Sequence, residues 1–92
     1  MARYIVELYQ STSGEPLRGV ADRLRTSAAE LVDEGTPVRY LCSLFLPSDE
    51  TCLHVLDAPS EAEVRVVAGR AAIEVDRVVL AEQIDPRRQD ES

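Results

Sequence analysis

The residues best suited to chemistry in this chain lie close together, between positions 42 and 54. Cys52-Leu53-His54 sets a thiol and an imidazole two residues apart. On a strand, both side chains leave the same face with Cα atoms roughly 6.5–7 Å apart. A thiolate and an imidazole so placed can ligate one nickel, zinc or copper ion. Such an ion needs three or four ligands, and His54 is the single histidine of the chain. Glu7 is the candidate for a further ligand, giving a metal set of Glu7, Cys52 and His54. The same pair can be read as a thiol nucleophile with a histidine base. Same-strand neighbours project in parallel, however, which is poor geometry for proton transfer, and no third residue orients the imidazole. The plainest alternative is a small buried cysteine and a half-exposed histidine at the edge of a subunit interface.

Two further groups belong to this neighbourhood. Ser43 is the one hydroxyl-bearing residue besides Tyr40 in the apolar run from Val38 to Leu46, and a buried hydroxyl must find a partner. Its options are His54 across a hairpin, a ligand, or main chain. Asp49 falls among turn formers, where its carboxylate has the structural task of accepting backbone N–H bonds.

These side chains must be positioned by the elements around them. Val38 to Leu46 reads as a strand buried on both faces. Pro47-Ser48-Asp49-Glu50 interrupts it, and Thr51 to Asp57 resumes as a second strand, so a hairpin is expected. A four-residue turn sets Leu46 opposite Thr51, Phe45 opposite Cys52, Ser43 opposite His54 and Cys42 opposite Val55. Cys52 and His54 are then expected on one face and Cys42 on the other, with Tyr40 and Leu44. Cys42 and Cys52 lie three pairs apart, too far for a disulfide.

Before the hairpin, Arg3 to Gln10 alternates, with Tyr4, Val6 and Leu8 on an apolar side and Arg3, Ile5, Glu7 and Tyr9 on a mixed one. Glu15-Pro16 opens a helix whose stripe is Leu17, Val20, Ala21, Leu24, Ala28, Leu31 and Val32, closed by Gly35. After the hairpin, Ser60 and Glu63 have capping-box spacing, and Val64, Val67, Ala68 and Ala71 line a second helix. Val75 to Ile84 is the last strand. Residues 1–84 are expected to form one domain and residues 85–92 a disordered polar tail.

Strand, helix, strand, strand, helix, strand is the pattern of an α+β, ferredoxin-like βαββαβ sandwich: a four-stranded antiparallel sheet with both helices on one face. The first and third strands are neighbours in it, which would bring Glu7 towards Cys52 and His54. The other sheet face is left open. Ile5, Phe45 and Leu56 are expected there, and burying them calls for a homodimer, a dimeric α+β barrel.

Composition narrows the partners. The 92 residues carry a net charge of −7, and all ten basic residues are arginine. An acidic surface repels nucleic acid and anionic lipid, and no run approaches the ~18 apolar residues of a membrane span. Two cysteines in so small a chain and no apolar leader fit a cytoplasmic protein. Arginine without lysine fits a high-GC bacterial genome.

Val38-Arg39-Tyr40-Leu41 with Ser43, then Pro47, Asp49-Glu50-Thr51-Cys52 and Ala58-Pro59-Ser60, resembles a family of small bacterial domains of unknown function. A nickel-binding protein of streptomycetes typifies that family. Arg3-Tyr4-Ile5-Val6-Glu7 and Asp76-Arg77-Val78 extend the resemblance over about residues 2–84. It implies a ferredoxin-like homodimer and binding of a divalent transition metal, with no assigned reaction. Similar sequences commonly close the second helix with Gly and Pro, where this chain has Ala72 and Glu74.

The function expected from the sequence is therefore a non-catalytic protein binding a small ligand or a nickel-like metal, through Glu7, Ser43, Cys52 and His54 on the open sheet face. The alternative is a small dimeric-barrel enzyme (an isomerase, cyclase or cofactorless oxygenase) with His54 as general base. An accessory subunit without chemistry is a third possibility.

Overall fold

A computed structural model describes residues 1–11, 14 and 16–86. The tail expected beyond residue 84 therefore lies almost wholly outside the described residues, as does Glu15. The elements are β1 (Ala2–Tyr9), α1 (Leu17–Asp33), β2 (Arg39–Leu46), β3 (Thr51–Ala58), α2 (Glu61–Arg70) and β4 (Arg77–Ala81). The strands form one antiparallel sheet in the order β2-β3-β1-β4, the ferredoxin-like arrangement that the element order implies. Among the described residues no helix is long and apolar enough to cross a membrane.

The helices supply one wall of the core. Val20, Leu24, Ala28 and Leu31 of α1 and Val64, Val67 and Ala68 of α2 are buried, at the helical spacing of a single stripe. Val32 is 51 % exposed, and Ser27 occupies the buried position that completes the stripe. Both helices end in the same way. The N–H of Gly35 bonds the carbonyl of Val32 and that of Thr36 the carbonyl of Leu31; Ala72 and Ile73 repeat this on Gly69 and Ala68. This double bond pattern needs a left-handed residue at its corner. Gly35 has φ 99° and Ala72 has φ 58°, so the second helix closes on a residue with a Cβ. At the start of α2 the Ser60 hydroxyl bonds the Glu63 carboxylate at 2.5 Å, in place of the expected backbone N–H.

The sheet supplies the other wall, and here two expectations change. Tyr4, Val6 and Leu8 face the helices, and β3 pairs with β1 so that Val6 stands opposite His54 and Leu8 opposite Cys52. Cys52, His54, Leu56 and Ala58 therefore lie under the helices, each fully buried. Burial of Leu56 alone is worth about 1.5–3 kcal/mol. The hairpin register is the expected one, Phe45 opposite Cys52 and Ser43 opposite His54, but the faces are exchanged. The open face carries Ile5, Leu53, Val55 and Val79, with Leu44 and Leu46 exposed at its edge; Phe45 and Leu56 belong to the core side.

Strand β2, read as buried on both faces, is an edge strand. Strand β4 is shorter than expected at both ends, and Asp76 stands just ahead of it. Its N–H bonds the Glu7 carbonyl and its carboxylate accepts the Tyr9 N–H at 2.8 Å.

Candidate functional site

Tyr40 and Ser43 are three residues apart on β2, and an unbroken strand would send them to opposite faces. A bulge removes that constraint. Tyr40 pairs with Leu56 and Cys42 with Val55, leaving Leu41 as the extra residue. Tyr40 and Ser43 consequently share the helix-covered face, and their hydroxyls meet at 2.5 Å. Ser43 Oγ in turn lies 2.5 Å from Nδ1 of His54. Cys52 Sγ lies beside the ring, 3.5 Å from Nε2 and 3.9 Å from Nδ1. The result is a continuous polar chain, Tyr40–Ser43–His54–Cys52, running from the edge strand into the core.

The electrostatics follow from burial. His54 is fully buried, and desolvation of the charged form lowers its pKa from 6.5 to about 4. It is a neutral imidazole at pH 7. Burial likewise raises the Cys52 thiol above its ordinary value, so this residue is an S–H group and not a thiolate. A neutral imidazole has one N–H and one lone pair, and Ser43 can serve Nδ1 in either tautomer. With the proton on Nδ1, Ser43 Oγ accepts it and the thiol addresses Nε2. With the proton on Nε2, the Ser43 hydroxyl donates to Nδ1. Among the described residues no buried side-chain nitrogen or oxygen lacks a hydrogen-bond partner.

The outer end of the chain opens on a cleft of about 360 Å³ between the first half of α1 and β2. Tyr40 and Ser43 form its strand side; Leu17, Ala21, Arg18 and Arg25 are on its helix side. Positions 17 and 21 are one helical turn apart, as are 18, 22 and 25 along the neighbouring stripe. The site thus has a polar floor, a short apolar strip and a charged rim. A second cleft of about 240 Å³ separates α1 from α2, but its charged groups already have partners within the chain. Arg70 holds Glu34 at 2.6 and 2.8 Å and Glu30 at 3.5 Å.

Of the four residues expected to form a site, the structure joins Ser43, Cys52 and His54 and separates Glu7 from them. Glu7 stands opposite Leu53 and Arg77 on the open face, where its carboxylate lies 3.5 Å from Arg77 Nε. The sheet itself divides it from the thiol and imidazole. Among the described residues no three of His, Cys, Asp and Glu gather into a set that could hold a metal ion. The expected set of Glu7, Cys52 and His54 therefore does not fit one metal. Cys52 and His54 alone are two donors short of the four that a closed site takes, and Nδ1 is already engaged by Ser43.

His54 also lies too deep to act as general base on a bound molecule, since only Ser43 and Tyr40 of the polar chain line the cleft. Cys42 is exposed on the opposite face from buried Cys52, and both are free thiols. Asp49 is exposed in a 3-10 turn whose carbonyl accepts the Thr51 hydroxyl at 3.0 Å, a structural position. Tyr40 is the site residue that the sequence reading left out; only the bulge brings it there.

A similar solved structure is that of SCO4226 from Streptomyces coelicolor A3(2), with a TM-score of 0.65 and 17 % sequence identity. The superposition covers 91 % of this chain and 100 % of that one. The two chains share the same small α+β fold. No protein-family profile and no curated protein matches the chain.

Proposed function

We propose that this chain is a small-ligand-binding protein, with the ligand seated in the cleft between α1 and β2 against the hydroxyls of Tyr40 and Ser43. One observation carries this reading. The bulge at Leu41 turns two hydroxyl side chains onto the covered face, where they join a fully buried histidine. A structural histidine could be satisfied by main chain alone; here its partner is a half-buried side chain on a solvent-open cleft. The buried imidazole holds Ser43 in one orientation, as positioned groups in binding sites require. The resemblance to a family typified by a nickel-binding protein suggests a metal as the ligand, but the donors described above do not fit one.

This reading is tested by screening small molecules against the full chain for shifts in backbone amide signals. Binding that perturbs residues 17–25 and 40–43, and that is weakened by Ser43→Ala, supports it. Binding confined to the open sheet face argues against it.

The open face supports a second reading, the homodimer. Ile5 and Val55 pair at its centre with Val79 and Leu53 beside them. Two charged pairs at its margins are formed within the chain. Arg3 grips Asp57 through two bonds of 2.8 and 2.9 Å, and Glu7 faces Arg77. An apolar centre flanked by internally paired charges on β1 suits a second copy of the same face about a two-fold axis.

A further inference from the structure

We infer that the cleft between α1 and β2 selects a small organic carboxylate: an anionic head on a short apolar body. This deepens the binding reading above and rests on it. The cleft is rich in donors and poor in acceptors. Arg18 and Arg25 stand on its rim with one acid, Asp22, and that acid is spent on Arg25 at 2.5 Å. The balance is one positive charge on a chain whose net charge is −7. No ion pair joins Arg18 to a described residue, whereas Arg3, Arg25, Arg65, Arg70 and Arg77 each have a carboxylate within 4 Å.

The polar floor adds a donor. With the His54 proton on Nδ1, Ser43 Oγ accepts it, and the Tyr40 and Ser43 hydroxyls need only one of their two protons for each other. The remaining O–H is free to point into the cleft. A ligand oxygen that accepts it holds His54 in that tautomer. Leu17, Ala21 and the half-buried Tyr40 ring then offer contact to an apolar body. A cation is disfavoured by Arg18 and by the absence of an uncommitted acid among the described lining residues. A wholly apolar ligand would leave the spare hydroxyl proton unpaired. A carboxylate answers both demands, because one oxygen can face Arg18 and the other the hydroxyl.

The test uses benzoate and its neutral analogue benzamide, titrated into the isotopically labelled full chain at pH 7. Benzoate is expected to shift the amides of residues 17–25 and 40–43, with benzamide several-fold weaker. Arg18→Gln, an exposed substitution that leaves the core intact, is expected to weaken benzoate about threefold to tenfold and to leave benzamide unchanged. Equal affinity for both probes, with Ser43→Ala weakening each, overturns the carboxylate assignment while the cleft remains a ligand site. Benzoate shifts spread equally over Arg65 and Arg70 also overturn it, since they mark unselective pairing with arginine. If neither probe moves residues 17–25 and 40–43, both readings fall.

Discussion

Ser43 Oγ sits 2.5 Å from Nδ1 of His54, and through this contact a fully buried imidazole is tied to a half-buried hydroxyl. The pair is a cross-strand neighbour of the β2–β3 ladder, so its geometry is set by the hairpin. Ser43→Ala deletes the hydroxyl and leaves Nδ1 without its partner in the core. The expected loss is about 1–3 kcal/mol, the usual penalty for a buried polar group left unpaired. Tyr40→Phe removes an outer link only, and about 0.5–1.5 kcal/mol is expected. Urea denaturation of the two variants checks this; no loss in either would place the hydroxyls in solvent.

The pH dependence of stability carries the same signature. The folded-state pKa of His54 is lowered to about 4 from 6.5, so between those values the unfolded chain binds a proton that the folded chain does not. Stability is complete above pH 6.5 and falls as pH drops towards 4, with a slope of at most about 1.4 kcal/mol per unit. Carboxylates act at lower pH. The Asp57 carboxyl, held down by its bond from Arg3, contributes above the ordinary carboxylate range and loses its contribution as pH falls through its folded value. Chemical denaturation between pH 7 and 5 therefore isolates the histidine. His54→Gln is expected to flatten the slope there, whatever its own stability at pH 7; an unchanged slope assigns it elsewhere.

Gly35 and Ala72 occupy the same corner of the same helix-closing motif, at φ 99° and φ 58°. An L-residue with a Cβ is strained in this region by roughly 1 kcal/mol. Ala72→Gly is expected to raise stability by about 0.5–1 kcal/mol, less the greater freedom that glycine has in the unfolded chain. Gly35→Ala is expected to lower it by about 1 kcal/mol. Thermal unfolding of both variants, moving in opposite directions, is the check.

The hairpin register from Cys42 to Leu46 was legible in the sequence to the residue, because Pro47 to Glu50 is a turn of determined length flanked by apolar runs. Which face of the hairpin is covered was not legible. On β3, Leu53 and Val55 look more like core than Cys52 and His54, and the choice is made by pairing with β1, whose apolar side is Tyr4, Val6 and Leu8. Once Val6 turns to the helices, His54 must follow. Glu7 lies on the open face, where the sequence places it, and the expected set fails because Cys52 and His54 lie on the covered one. Tyr40 was hidden for a different reason. A bulge leaves no mark in a run as uniformly apolar as Tyr40 to Leu46, and parity then assigns Tyr40 and Ser43 to different faces. Ala72, noted as standing where glycine is common, was a usable signal for the left-handed corner.

The apolar centre of the open face gives a test of association. Val55→Glu puts a charge between Ile5 and Cys42 on that face, and desolvating it in a self-complementary interface is unfavourable. Light scattering is expected to return a species of twice the 10.2 kDa chain for the parent and of one chain for the variant. A monomeric parent at tens of micromolar would remove the dimer.

The most direct measurement of the site is an NMR pH titration of His54, made clean by its being the single histidine of the chain. If it lies under the helices, held by Ser43 and Cys52, its ring signals stay those of a neutral imidazole at pH 6 and titrate with a midpoint near 4 or until the chain unfolds. Ser43→Ala should change the tautomer signature of the ring nitrogens, and a ligand entering the cleft should do the same without touching the ring. A midpoint near the ordinary 6.5, with nitrogen signals indifferent to Ser43→Ala, would put His54 on the solvent-open side of the sheet and contradict the site.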